Sequence, residues 1–259
     1  ANQQRSSVRA LLGETYQLLG RKVVERSAET GEHYIARTRR DYFGMWRMAA
    51  GGGLLTVTTV YLKFFIAALH LNKFVEGVLF SLDYVGSFLA IHFAHFTLAT
   101  KQPAMTAPAL AQKLDGVAQP EGRVAFVDET IALIRSQMAA ISGNLAIVFP
   151  VALGVQLLAH YVFGGNLLSR EKAEATIHSF SLLGPTPVYA AFTGVLLWLS
   201  SLTAGWADNW FALHRLHDAL ALQRRLKWAF GAARAQAIAD FAKKHVAGVA
   251  ANMSLGVML

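Results

Sequence analysis

The sequence predicts an all-α, polytopic membrane protein, and three observations support this fold class. Of the 259 residues, 54% are hydrophobic and 15% are charged, against about 25% charged in an ordinary soluble domain. Four stretches reach the length of about 20 apolar residues that crosses about 30 Å of hydrocarbon. Lys and Arg concentrate in alternate segments between these stretches. We therefore expect four complete transmembrane helices, the start of a fifth, and helical extensions on the cytoplasmic side.

The four spans are apolar runs that cover residues 49–71, 74–100, 138–163 and 182–206. Because only Asn72 and Lys73 separate the first two spans, these form a transmembrane hairpin. Pro150 predicts a kink in the third span, since proline removes a helical donor and clashes with the preceding turn. Pro185 and Pro187 fall in the first turn of the fourth span, where proline is tolerated. A further apolar run from Val246 is interpreted as the first half of a fifth span.

The predicted organisation has six segments along the chain. The first three are a cytoplasmic helical segment (1–47), the hairpin (48–100) and a cytoplasmic connector with a helix (101–137). The last three are the third and fourth spans with a short outer loop (138–206), a cytoplasmic basic helix (207–245) and the start of the fifth span (246–259).

The charge distribution orients these segments. Lys and Arg number 24 against 16 Asp and Glu, for a net charge of +8, and twenty of the 24 lie in the segments predicted to be cytoplasmic. The opposite side holds only Lys73, Arg170 and Lys172. Since cytoplasmic loops carry the excess of Lys and Arg, we expect a bacterial inner-membrane protein with a cytoplasmic N-terminus. The chain has no Cys, which excludes disulfides, thiolate metal sites and cysteine nucleophiles.

Two charges fall inside the predicted hairpin, Lys63 in its first span and Asp83 in its second. A charge at the bilayer centre costs about 2.5–3.5 kcal/mol on insertion scales. At 1.5 Å per residue from the turn, both groups lie about 14–16 Å deep, so we expect an intramembrane ion pair. Glu76 and His70 lie near the outer end of the same hairpin. The alternative is an ion or proton pathway, because intramembrane ionisable groups also serve transport.

Two H-x-x-H pairs suggest a second kind of site. Imidazoles three residues apart share one face of a helix at a spacing that suits a metal ion. The candidate ligands of a divalent metal such as zinc or iron are His92 and His95, His214 and His217, with Asp208 or Asp218. The alternative is packing and hydrogen bonding at the membrane interface, and the pattern lacks the glutamate of H-E-x-x-H. No other cofactor is expected.

Aromatic and basic residues cluster where the fourth span leaves the membrane. Trp206 and Trp210 occupy an aromatic-belt position, and the cations that follow are Arg215, Arg224, Arg225 and Lys227. We expect these side chains to contact the phosphates of anionic phospholipids on the inner leaflet. Binding of DNA phosphates is the alternative, without a DNA-binding motif beside it. The expected partners are the lipid bilayer and either a second copy of the chain or other membrane subunits.

Three segments carry a resemblance to a known family: "RKVVERSAETGEHYIARTRRDY" at 21–42, "YLKFFIAALHLNKFVEGVLFSLDYVGSFLAIHFAHFTLATKQPAMTAPALA" at 61–111 and "AGWADNWFALHRLHDAL" at 204–220. With these segments the chain resembles the bacterial transmembrane family catalogued as site-specific recombinase. The resemblance implies a multi-pass membrane protein, a longer whole protein of which this chain is a piece, and, by the family's name, DNA recombination.

The residues do not supply recombinase chemistry. A tyrosine recombinase surrounds the scissile phosphate with Arg and His-x-x-Arg groups that neutralise the transition state. No H-x-x-R occurs in the sequence, and the closest match, His70 to Lys73, is predicted on the outer face. No P-loop and no G-x-S-x-G motif occurs either.

The function expected from the sequence is therefore that of a membrane scaffold or envelope component. A metal-dependent membrane enzyme that uses the two H-x-x-H pairs is one alternative. A membrane-tethered DNA-recombination factor is the other.

Overall fold

The computed structural model describes residues 35–259, without the side chains of residues 103–105, 107, 108 and 115. Within this range the chain forms nine α-helices and one short 3₁₀-helix at Leu114–Gly116. The α-helices are α1 Arg39–Ala68, α2 Lys73–Phe93, α3 Gln102–Lys113, α4 Pro120–Phe163, α5 Arg170–Ser179, α6 Thr186–Leu213, α7 Leu216–Leu222, α8 Arg224–Phe230 and α9 Ala232–Met258. The predicted all-α fold is confirmed. Most of the helical segment predicted at 1–47 lies outside the described residues.

Four of these helices are long and apolar enough to cross a membrane. They are α1, α2, α4 and α6, with mean hydropathies of 1.4, 1.6, 1.9 and 1.4 in their most apolar stretches. These helices overlap the four spans expected from the sequence. The helix α4 continues through Pro150 without a break, and α6 begins between Pro185 and Pro187.

Two helix boundaries differ from the expected ones. The second span was expected to reach residue 100, but α2 ends at Phe93 because His95 adopts a left-handed φ of 56°. The backbone amide of Phe96 then donates to Ile91 O at 2.9 Å, and that of His95 to His92 O at 3.1 Å, which is the Schellman arrangement that ends many helices. At the other end of the chain, the boundary expected at residue 246 falls inside α9.

The hairpin of α1 and α2 has the expected antiparallel register. Asn72 caps α2, since its side-chain oxygen accepts from the backbone amide of Val75 at 2.9 Å, a common way of satisfying a free helix-start donor. Deeper in the hairpin, Thr59 Oγ1 donates to Ser87 Oγ at 2.6 Å.

Glycines bring α1 and α4 into close contact. A Cβ atom added to Gly143 would overlap the carbonyl of Trp46, and one added to Gly53 would lie 2.8 Å from Asn144 O. Asn144 Nδ2 donates across the same seam to Ala49 O at 3.2 Å. Small residues that let backbones approach are the usual basis of helix packing in lipid, where no hydrophobic force draws helices together.

The long helices form a row in the order α4, α1, α2, α9, α6, as judged from which pairs pack together. The helix α9 runs antiparallel to α2 and separates it from α6. A buried cluster joins the three helices and the connector after α2, with Phe88, Ile91, Leu98, Leu196 and Leu255 as its members. Within residues 35–259, α4 and α6 do not pack against each other, so both ends of the row expose apolar side chains.

Candidate functional site

A polar cluster lies at mid-depth between α1 and α2; we call Thr59, Lys63, Asp83, Tyr84 and Ser87 the Asp83 cluster. Asp83 is 8% exposed, and its Oδ2 has no hydrogen-bond partner. The hydroxyl of Ser87 lies beside the carboxyl group. Thr59, 7% exposed, continues the polar contacts toward α1 through its 2.6 Å bond to Ser87. The contacts Thr59–Ser87 and Lys63–Tyr84 thus put Lys63 and Asp83 at the same level of the hairpin.

Lys63 directs its ammonium group to aromatic side chains. Its Nζ donates to Tyr84 Oη at 3.0 Å and lies 5.3 Å and 5.4 Å from the ring centroids of Tyr84 and Phe80. Within residues 35–259, Lys63 Nζ does not come within the 4.0 Å of an Asp83 oxygen that a salt bridge requires. The direct ion pair therefore stays a prediction.

The two residues expected near the outer end of the hairpin lie in or beside its turn. Glu76, in the first turn of α2, accepts from Lys73 Nζ at 3.2 Å. His70, with a left-handed φ of 50°, places Nδ1 2.7 Å from Ala68 O. Within residues 35–259, neither forms a hydrogen bond or an ion pair with the Asp83 cluster.

The first H-x-x-H pair does not share a helical face, because the helix ends between its members. His95 is the left-handed residue after the α2 cap, whereas His92 lies in the last turn and turns toward α9. His92 Nε2 lies 3.1 Å from His245 Nδ1, and the His92 ring rests against Gly248, where any Cβ would overlap it. No spacing pattern in the sequence pointed to His245, so this partner was missed.

Lys101 enters the same region from the connector after α2. Its Nζ donates to Asn252 Oδ1 at 2.6 Å and lies 3.7 Å from the centroid of the Phe88 ring. Burial among these uncharged partners lowers the pKa of Lys101 to about 7, because desolvation penalises the ammonium form. We call His92, Lys101, His245 and Asn252 the His92 cluster.

The second H-x-x-H pair is interrupted in the same way. Arg215 has a left-handed φ of 47° and separates α6 from α7. His214 places Nδ1 2.9 Å from Trp210 O, while His217 belongs to the next helix. The prediction that each histidine pair shares one helical face is therefore wrong for both pairs, because a left-handed residue lies at or between the two imidazoles.

His217 connects α7 to α9 through carboxylates. Its Nε2 lies 2.7 Å from Asp240 Oδ1 and its Nδ1 3.1 Å from Asp218 Oδ1. The hydrogen bonds to Asp240, and secondarily to Asp218, raise the pKa of His217, and the same bond lowers the pKa of Asp240. Asp208 is buried in α6. Within the described part of the chain, no three His, Asp or Glu side chains come together in a group that could hold a metal.

Trp206 and Trp210, which the sequence predicts at the membrane interface, are exposed near the end of α6. Trp206 and Trp210 are 66% and 45% exposed and stack with ring centroids 6.5 Å apart. Arg224, Arg225 and Lys227 lie on the short helix α8. The same helix exposes Trp228 at 90%, an aromatic side chain beside the cations that sequence reasoning did not single out.

A buried acid of a different kind anchors the start of the described chain to α4. Glu129, 8% exposed, accepts from Arg37 Nη2 at 2.7 Å. Arg135 Nη1 donates to Arg37 O at 3.1 Å, and the backbone amide of Ala36 donates to Ser136 Oγ at 2.6 Å. Glu129 thus has the cationic partner that Asp83 lacks.

These features define a class of protein: an all-α chain with four helices able to cross a membrane, arranged as a multi-pass membrane protein. The family model SpecificRecomb, described as site-specific recombinase, matches residues 1–259, and the chain belongs to this family. Neither the curated proteins nor the solved structures contain a match to the chain.

Proposed function

We propose that the protein is a scaffold of the bacterial inner membrane whose cytoplasmic side binds anionic phospholipid headgroups. The observation that carries this proposal is the separation of charge: twenty of the 24 Lys and Arg lie in the segments predicted to share one side of the membrane. Cations near an anionic membrane surface contribute about 1 kcal/mol each to attraction.

The segment from the end of α6 to α8 supports the proposal. The helix α8 combines three cations with an exposed tryptophan, and the stacked pair Trp206 and Trp210 lies near the end of α6, with α7 between them. Tryptophan favours the headgroup level of a bilayer, where its ring is apolar and its N–H stays hydrated. This combination fits lipid phosphate better than the major groove of DNA, because the three cations lie on α8, a helix of only seven residues.

The proposed orientation can be tested by labelling single cysteines, since the natural chain has none. Asn72→Cys and Asn166→Cys are expected to react with a membrane-impermeant maleimide in intact spheroplasts. Lys113→Cys and Arg225→Cys are expected to react only after permeabilisation. Labelling of positions 72 and 113 from the same side would overturn the topology on which the proposal depends.

Lipid preference is tested with two matched triple variants of the full chain. One replaces Arg224, Arg225 and Lys227 by Gln, and the control replaces Lys73, Arg170 and Lys172 by Gln. We expect phosphatidylglycerol to remain bound to the wild-type and control proteins in native mass spectrometry, and to be lost from the α8 variant. Equal retention by all three proteins would contradict the proposed lipid site.

A further inference from the structure

Two buried carboxyl groups in the described chain have different surroundings. Asp83 and Glu129 are both 8% exposed. Glu129 has a guanidinium group at 2.7 Å, whereas Oδ2 of Asp83 is shielded from solvent and has no partner. An ionised carboxylate offers acceptor sites on both oxygens, and leaving a buried charge without partners costs several kcal/mol. Asp83 therefore lacks the cationic partner and the hydrogen-bond donors to both oxygens that stabilise a buried carboxylate.

Lys63, the cation at the same level of the hairpin, has partners other than Asp83. Lys63 Nζ bonds to the Tyr84 hydroxyl and lies over two aromatic rings. Tyr84 is the other titratable group on α2 at this level. On α9, the residues that pack against this part of α2 are uncharged: Gly256 lies against Val85, and Leu255 belongs to the buried apolar cluster.

Hydroxyl groups are the polar neighbours that remain. Ser87 lies one turn from Asp83 on α2, and Thr59 reaches Ser87 from α1 at 2.6 Å. Thr59 Oγ1 also lies 2.9 Å from Leu55 O, so the acceptors of the Thr59 hydroxyl proton are Leu55 O and Ser87 Oγ, and this proton is not directed at Asp83. A neutral carboxylic acid beside the Ser87 hydroxyl needs fewer donors than a carboxylate does, and it avoids the desolvation of a charge.

We propose that the Asp83 cluster is a proton-binding site, in which Asp83 holds a proton at neutral pH as a neutral carboxylic acid beside the hydroxyl of Ser87, which Thr59 contacts from α1. The site lies at mid-depth in the hairpin of α1 and α2. It is independent of the lipid-binding surface on α8, and either proposal can fail without the other.

Infrared difference spectroscopy of the full chain in lipid vesicles tests the proposal directly. The spectrum of wild type minus Asp83→Asn at pH 7 is expected to show the carbonyl stretch of a protonated carboxylic acid, with a downward shift in D₂O. Wild type minus Glu129→Gln is the matched control and is expected to show carboxylate bands only, because Arg37 Nη2 lies 2.7 Å from Glu129 Oε1 in an ion pair. Carboxylate bands for Asp83 as well would overturn the proposal and favour the ion pair with Lys63.

A second measurement uses the wild-type protein alone, so it does not depend on the folding of a variant. Dicyclohexylcarbodiimide reacts with protonated carboxylic acids in membranes, and mass spectrometry of the peptides locates the adduct. We expect an adduct on Asp83 at pH 7 whose yield falls as the pH is raised and does not change with added NaCl. Suppression by NaCl at constant pH would assign the site to a metal cation and overturn the assignment to a proton.

Discussion

Replacement of Lys101 by Met is expected to stabilise the protein at neutral pH. The Lys101 amine is held between α2 and α9 by Asn252 and the Phe88 ring, and no carboxylate in the described chain is within salt-bridge distance of it. Methionine is similar in length and apolar, so it can occupy the same space without a charge to desolvate.

The size of the effect follows from the pKa of Lys101, which falls from 10.5 to about 7. Because each pKa unit corresponds to about 1.4 kcal/mol, charging the folded protein costs about 5 kcal/mol relative to the unfolded chain. The contacts with Phe88 and Asn252 favour the ammonium form and are already part of this pKa, so the separate loss in the variant is the donor to Asn252 Oδ1, and an unpaired buried acceptor costs about 1–3 kcal/mol. We therefore expect Lys101→Met to raise the free energy of unfolding by about 2–4 kcal/mol at pH 7.

The pH dependence gives the sharper test. The folded-state pKa of Lys101 is below its unfolded value, so between pH 7 and 10.5 the unfolded chain binds a proton that the folded protein does not. Stability therefore rises with pH across this window, and Lys101→Met is expected to remove that rise.

The assay is reversible unfolding of the protein in mixed micelles between pH 6 and pH 10, with Lys113→Met as the control. Lys113 is exposed at the end of α3, so its replacement should leave the pH profile unchanged. A Lys101→Met protein with the same pH profile as the wild type would refute the reasoning, because the buried amine would then titrate as it does in the unfolded chain.

Two further predictions concern helix contacts. Gly143→Leu is expected to lower the free energy of unfolding by about 1–3 kcal/mol, because the added side chain must displace the α1 backbone. The control Gly154→Leu should have little effect, since nothing lies within 4 Å of a Cβ atom at that position. Equal losses of stability for both variants in denaturant titrations would contradict this prediction. The contact of His217 with Asp240 raises the pKa of the imidazole, so its stabilising effect is fully present below pH 6.5 and is lost as the pH rises through the folded-state pKa. Asp240→Asn should abolish this part of the pH dependence of thermal unfolding, and an unchanged profile would refute the link.

Apolar runs were sufficient to predict the four long helices, because a membrane span depends mainly on length and composition. The register of the hairpin also followed from sequence, since counting from Asn72 placed Lys63 level with Asp83, and the structure puts Lys63 on Tyr84, one residue further along.

The partners of the polar side chains were not predictable in the same way. Lys101 and Asn252, or His92 and His245, are far apart in the chain and meet only because α9 packs against α2. The left-handed residues His95 and Arg215 also escaped prediction, because neither is the glycine or asparagine that usually marks such a position. Local spacing therefore suggested metal sites where the backbone in fact ends a helix.

The position of α9 between α2 and α6 has a consequence for biogenesis. The helix α6 precedes α9 in the chain, yet α9 is the long helix against which it packs. The packing partner of α6 is therefore made after it, and α6 must enter the bilayer on its own mean hydropathy of 1.4. A chain cut before residue 232 is expected to leave α6 without this neighbour and open to membrane quality-control proteases.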